Sequence, residues 1–248
     1  MVLTLDEEAN LARCLKSLHF CREIVIVDSG SQDRTLQIAE GFTDRIFRRA
    51  LEGYGAQRNF GIEKAQFDWI LWLDADEEIS PLLAEQIKAI EAGSEFAGFL
   101  LNRKTRYLGR WIQHSGWYPQ YVLRLFNRRS GRCSEAKVHE RIILEGKTGR
   151  LKGDILHYAY RDISHHLAKL NHYTSLTAEE RYAQGRRFNF LKASFAPPAE
   201  FLKKYILRLG FLDGSAGLAI AATSAYYAFL KEIKLFELSV KRKETERL

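Results

Sequence analysis

Two apolar runs in this chain each stop at an aspartate, and those stops limit the folds open to it. "REIVIVDSGS" carries Ile and Val residues from Glu23 to Val27 into Asp28 and a glycine-bearing loop. "WILWLDADEE" carries Trp69 to Leu73 into Asp74, Asp76, Glu77 and Glu78. Both runs are short and rich in β-branched or aromatic residues, the pattern of a buried strand. Helical spacing follows each one. Ser31 or Asp33 can cap a helix through "DRTLQIAEGF", and Ser80-Pro81 supplies an N-cap and a first-turn proline. Between the runs, "GYGAQRNFGIEKAQ" is also spaced as a helix. Strand and helix in alternation predict an α/β fold, a mostly parallel sheet flanked by helices. Ligands of such sheets bind beyond the carboxyl ends of the strands, where Asp28, Asp74 and Asp76 all fall.

A packet of acids at the end of a greasy strand needs a reason. In extended chain, Asp74 and Asp76 point to the same face. Two like charges so close raise one another's pKa unless a cation intervenes. Mg²⁺ or Mn²⁺ suits hard oxygen ligands and takes much of its shell from substrate phosphate. The plain alternative is an acidic start to the next helix, and the pattern alone does not choose between them. An aspartyl-phosphatase reading wants a small hydroxyl residue where this chain has Glu78. A dinucleotide-binding reading fails for want of G-x-G-x-x-G after the first strand.

The charge balance is basic, formally +7 with pI about 9.3, which suits a partner carrying phosphate. Cys14, Cys21 and Cys133 form no C-x-x-C pair, so a reducing compartment is expected. Met1 runs into "VLTLDEEAN" without a basic region and apolar core, and a cytoplasmic location is expected. The organisation expected is a catalytic domain over 1–160 and a helical C-terminal region over 161–248. Within the latter, Gly214 to Leu230 carries no charge and is flanked on both sides by Lys and Arg. That pattern predicts a helix on or dipping into a membrane surface, with a buried core helix as the alternative.

Together, "TLDEEANLARCLKSL", "EIVIVDSGSQDRT", "GYGAQRNFGIEKA" and "WILWLDADEE" resemble, in order and spacing, the inverting glycosyltransferases of family 2, which have the GT-A fold. The likeness spans roughly Val2 to Tyr160. More loosely, "GWYPQYVLRLFNRR", "KVHERI" and "ILHYAYRDI" look like the branch that adds glucose to the heptose of the lipopolysaccharide inner core. The resemblance implies that Thr4 and Glu7 line a nucleotide pocket and that Asp28 accepts a hydrogen bond from uracil. It implies Arg58 near base or phosphate, Asp74 at the ribose or a metal-bound water, and Asp76 on a metal that bridges the diphosphate. Asp6 departs from the pattern, standing where Asn is usual.

Inversion needs a carboxylate to take the acceptor hydroxyl's proton while that hydroxyl attacks the anomeric carbon. In "SEAKVHERI", Glu140 falls where the family has its catalytic acid, with Glu135 as fallback and an ion pair to Arg141 as the plain reading. His139 can orient the base or be structural. His157, after an apolar strand, is a candidate metal ligand through neutral imidazole. His165 and His166 head a helix and are expected in solvent. Trp117, Tyr118 and Arg124 shape a sugar site or, equally, belong to the core. The expected partners are a UDP-hexose, a lipid-linked saccharide acceptor and a membrane surface. Nucleic acid is set aside, because a phosphate-binding groove has no use for acids without a metal.

Overall fold

The computed structural model describes residues 1–90, 93–134 and 141–245, with side chains through Lys241. It divides into two compact units, Met1–Lys104 with Pro119–Tyr158, and Thr105–Tyr118 with Ala159–Leu248.

The first unit begins with β1 (Val2–Thr4), α1 (Leu11–Ser17), β2 (Ile26–Asp28), α2 (Thr35–Glu40), β3 (Ile46–Arg48) and α3 (Tyr54–Lys64). Three short strands follow, β4 (Trp69–Leu71), β5 (Leu73–Asp74) and β6 (Glu77–Ile79), then α4 (Pro81–Lys88). β1, β2, β3 and β5 form a parallel sheet in the order β3-β2-β1-β5. Its buried residues include Val2, Ile26 and Leu73, packed with Leu11 and Leu15 of α1 in one core.

The apolar run "WILWL" does not make one strand. β4 pairs antiparallel with β9 (Tyr121–Asn127), whereas β5 pairs with β1, so the chain changes sheets at Trp72. The mixed sheet runs β4-β9-β7-β12-β6, where β7 is Phe96–Tyr107 and β12 is Lys147–His157. β8 (Arg110–Trp111) pairs with the end of β7, and β10 (Gly131–Cys133) with β11 (Ile142–Leu144). The parallel sheet expected from the alternation of strands and helices is therefore joined by a second sheet, whose pairs β4-β9, β9-β7 and β12-β6 are antiparallel.

The second unit holds α5 (Ile163–Ala183), α6 (Phe190–Leu202), a π turn at Lys203–Leu207, a 3₁₀ turn at Gly210–Asp213 and α7 (Gly214–Thr245). Asp162 caps α5, its carboxylate accepting the His165 N–H at 2.7 Å. Unlike the division expected near residue 160, this unit also takes in Thr105–Tyr118. The buried Asp213 carboxylate accepts the backbone N–H groups of Gln113 and His114 at 3.1 and 2.9 Å. Tyr107 also stacks edge-on with Tyr160 and His166. A contact spanning about a hundred residues leaves no periodic trace in the sequence. Contrary to expectation, His166 is buried, with a ring nitrogen 2.7 Å from the Tyr107 hydroxyl. Burial first, then His165 and Lys169, lower its pKa.

The charge-free run forms the first half of α7. Ala216, Ile220, Ala221 and Ala228 are buried, whereas Leu218, Tyr226 and Phe229 are exposed. Among the described residues no single helix is long and apolar enough to cross a membrane. The segments 190–207 and 210–241, bent by 72° where they meet, reach that length and composition only together.

Candidate active site

Parallel register sets the carboxyl ends of β1, β2 and β5 side by side. Thr4 lies opposite Asp28, and Leu3 opposite Asp74. Thr4 is buried, and its hydroxyl has no hydrogen-bond partner among the described residues. Such an orphan at a sheet's carboxyl edge is what a ligand-binding rim leaves behind.

The loop after β2 is held by Asp28. Its carboxylate accepts the N–H groups of Gly30 and Ser31 at 2.9 and 3.0 Å and the Ser31 hydroxyl as well. Gly30 has φ +104°, which only glycine adopts freely. Asp28 is therefore fully buried and committed to its own turn. The carboxylate expected to meet uracil serves first as the fastening of the loop.

Glu7 sits in the adjoining loop, accepting the Asn10 side-chain amide at 2.7 Å, while its N–H donates to Thr35 Oγ1 at 2.8 Å. Asp6 has φ +51° and accepts the Gln32 N–H at 2.8 Å. Asp and Asn both tolerate that conformation and both offer that oxygen, so Asp6 satisfies the geometry of the position where Asn is usual.

The acid packet does meet positive charge, but much of it is protein. β5 ends at Asp74, and Ala75–Asp76 turns before β6 begins. The strand thus stops at Asp74, and each aspartate has a partner of its own. Asp74 accepts Arg124 Nη2 at 2.7 Å and Trp72 Nε1 at 3.3 Å, and Arg58 Nη2 lies 3.9 Å away. Glu77, wholly buried, accepts the same Arg124 nitrogen at 3.0 Å and the Asp74 N–H at 3.1 Å, and Arg103 lies 3.5 Å away. The guanidinium carbons of Arg58 and Arg124 lie 3.7 and 4.1 Å from the Trp72 ring centroid. Burial would raise the Asp74 carboxyl, but Arg124 and Arg58 outweigh it and hold its pKa at about 2. Asp74 is ionised at any physiological pH, yet a third of its side chain remains open.

Asp76 meets an imidazole. Its carboxylate lies 3.4 Å from His157 Nε2, at the end of β12, and its backbone carbonyl accepts the Tyr158 N–H at 2.9 Å. Two adjacent donors of carboxylate and imidazole type are few for a resident structural ion. They fit a cation that takes the rest of its shell from water and diphosphate. Among the described residues, no group of three His, Cys, Asp or Glu side chains converges as a metal cage.

Arg124 was legible only as a possible sugar contact. Glu77 and Arg103 carried no assignment, and the available signal was a charged residue inside an apolar strand, as in "YVLRLF". Trp117 packs with Tyr107 and Tyr160 in the second unit's aromatic cluster. Glu140, Glu135 and His139 lie outside the described residues.

The comparisons with known proteins agree on the class. The family model "Glycosyl transferase family 2" matches residues 1–143. The lipopolysaccharide core biosynthesis glycosyltransferase LpsC of Rhizobium meliloti (strain 1021) is 34% identical, over 95% of this chain and 90% of that protein. An uncharacterised glycosyltransferase of Rickettsia typhi is 28% identical, over 97% of this chain and 87% of that protein. Among solved structures, the mannosyltransferase PcManGT from Pyrobaculum calidifontis, in complex with GDP-Man and Mn²⁺, matches with a TM-score of 0.52. It covers 94% of this chain and 85% of that one at 13% identity, a likeness that concerns the fold alone. With the family's motifs on the carboxyl edge of a GT-A-type sheet, the chain belongs to glycosyl transferase family 2 and is a glycosyltransferase.

Proposed function

We propose that this enzyme transfers glucose from UDP-glucose, with inversion, onto a lipid-linked saccharide such as the heptose of a lipopolysaccharide inner core. The observation that carries the reading is the row at the sheet's carboxyl edge: Thr4, the Asp28 loop, Asp74 beside Arg58, and Asp76 beside His157. That row offers hydrogen-bond partners for a nucleoside, a cation for phosphate and a place for a divalent ion. The name of LpsC supports the acceptor class, since that protein is described as acting in lipopolysaccharide core biosynthesis.

Asp76 and His157 would hold Mg²⁺ or Mn²⁺, which when bound supplies positive charge for the leaving diphosphate. The chain's own residues do the rest. Asp28 keeps the loop after β2 in place against the nucleoside. Arg58 carries a charge that is partly neutralised by Asp74 and spread over Trp72, so it attracts phosphate without drawing Asp74 out of position. Glu140 takes the acceptor hydroxyl's proton as that oxygen attacks the anomeric carbon, and the C–O bond to the diphosphate breaks on the opposite face. The enzyme works at the cytoplasmic side of the membrane that holds its acceptor.

Calorimetric titration with UDP, with Mn²⁺ and then with EDTA, tests the donor half of this reading. Binding that is strong with Mn²⁺ and weakened by EDTA is the expected result. Equal affinity in both, or stabilisation by an oligonucleotide instead, overturns it. Release of UDP from UDP-glucose on addition of a heptose-terminated lipid acceptor tests the other half.

A further inference from the structure

The helical unit bears a surface that its internal packing does not use. Leu191, Phe195 and Leu202 fall within one narrow face of α6, at i, i+4 and i+11. They are 63%, 68% and 56% exposed, while α6 packs on α7 and buries Ala193. Leu207, in the π turn that follows, is exposed as well. A helix on a water-facing surface normally turns polar residues outward. This one turns out leucine and phenylalanine.

Next to it lies a cleft of about 750 Å³ between the end of α5, the start of α6 and the middle of α7. Arg186, Arg187, Lys192 and Lys231 line it, together with Phe188 and Leu235. Its remaining cation, Arg181, is paired with the buried Glu232 at 3.0 Å. No ion pair among the described residues engages the other four. Burial and the nearby Arg181 lower the pKa of Lys231, as crowding by like charge does. From Arg181 to Leu212 the sequence has seven Lys and Arg and a single acid, Glu200. Two copies of such a face repel each other, so self-association is disfavoured. An anionic bilayer complements both parts, with phosphate for the cleft and hydrocarbon for the stripe.

We propose that this face docks on an anionic lipid bilayer, seating a lipid phosphate among Arg186, Arg187, Lys192 and Lys231 while Leu191, Phe195 and Leu202 enter the acyl boundary. The proposal rests on the membrane-side placement given above and moves the contact from Gly214–Leu230, whose inner face is packed, to α6 and its basic cleft.

Flotation of the full chain with phosphatidylcholine vesicles, with and without phosphatidylglycerol, tests it. Flotation with the anionic vesicles only, reduced by high salt, is expected. Arg186→Gln with Arg187→Gln should lower partitioning about 25-fold, at about five-fold per basic residue. Leu191→Ser with Phe195→Ser should lower it on the order of a hundred-fold. Both pairs should leave circular dichroism and UDP binding as in the parent, and the exposed arginine pair decides if the apolar pair fails to fold. Free glycerol phosphate in excess should not release the chain from vesicles. Release by it would assign the cleft to soluble phosphate and overturn docking. An intact chain that stays unbound with anionic vesicles overturns the proposal, as does equal flotation of either variant pair. A parent that dimerises through the stripe, becoming monomeric on Leu191→Ser with Phe195→Ser, does so too. Because UDP binding is read in the same samples, failure of docking and failure of the transferase reading are separate results.

Discussion

Arg124→Met tests how the acid packet is held together. Methionine keeps much of the apolar stem beside Trp72 but removes the guanidinium that contacts Asp74 at 2.7 Å and Glu77 at 3.0 Å. Glu77 is wholly buried and cannot turn to water. Arg103, at 3.5 Å, remains as a weaker partner. Removing one partner of a buried ion pair costs about 3–5 kcal/mol, because a charge is left uncompensated. Loss of the stacking on Trp72 adds about 0.5–2 kcal/mol, some of which the methionine sulfur returns. Urea unfolding followed by tryptophan fluorescence at neutral pH should therefore show about 3–5 kcal/mol of destabilisation. The pH dependence supplies a sharper check. In the parent, Asp74 has a pKa of about 2, below its unfolded value near 3.8. Its contribution is thus complete above about pH 4 and is lost as pH falls through about 2. In the variant, burial acts on Asp74 with less opposition, its carboxyl takes up a proton more readily, and the destabilisation should shrink as pH falls from neutral towards about 4. A loss below about 1 kcal/mol at neutral pH, or a loss that does not change with pH, would refute the view that Arg124 neutralises this packet.

Asp76→Asn should weaken UDP binding in Mn²⁺ but change it little in EDTA, which calorimetry in the two buffers will read. Asp28→Ala removes three acceptor contacts from the loop after β2; it should weaken UDP binding in both buffers by roughly 1.5–3 kcal/mol, the range for hydrogen bonds to charged groups. Glu140→Gln should reduce turnover by about two to four decades with donor binding unchanged, and near-parental turnover would transfer the role to Glu135. His166 has a folded pKa below its unfolded value near 6.5, so its contribution is complete above that value and is lost as pH falls towards the folded pKa. His166→Gln should flatten that decline in denaturation curves taken between about pH 7 and pH 5, and an unaltered slope would count against it.

The alternation of strands and helices, the place of Asp28 and Asp74 at strand ends, and the helix begun by Ser80-Pro81 are local matters. They depend on side-chain periodicity and on residues a few positions apart, and the amino-acid order determined them. The division of "WILWL" between two sheets is different in kind. It depends on which strands, β1 and β9, arrive from elsewhere to pair with Leu73 and Leu71. The same holds for the counter-charges of the acid packet. Acids crowded at Asp74–Glu78 require a cation nearby, and that requirement was legible. Whether the cation would be a metal or an arginine was not, because Arg58, Arg103 and Arg124 come from α3, β7 and β9. His166 gave no sign of burial either, since its partner Tyr107 stands 59 residues earlier. Short-range periodicity decides where chain can be strand or helix. Long-range packing alone decides which charge meets which, because Coulomb and hydrogen-bond partners are chosen by distance in space and not by distance along the chain.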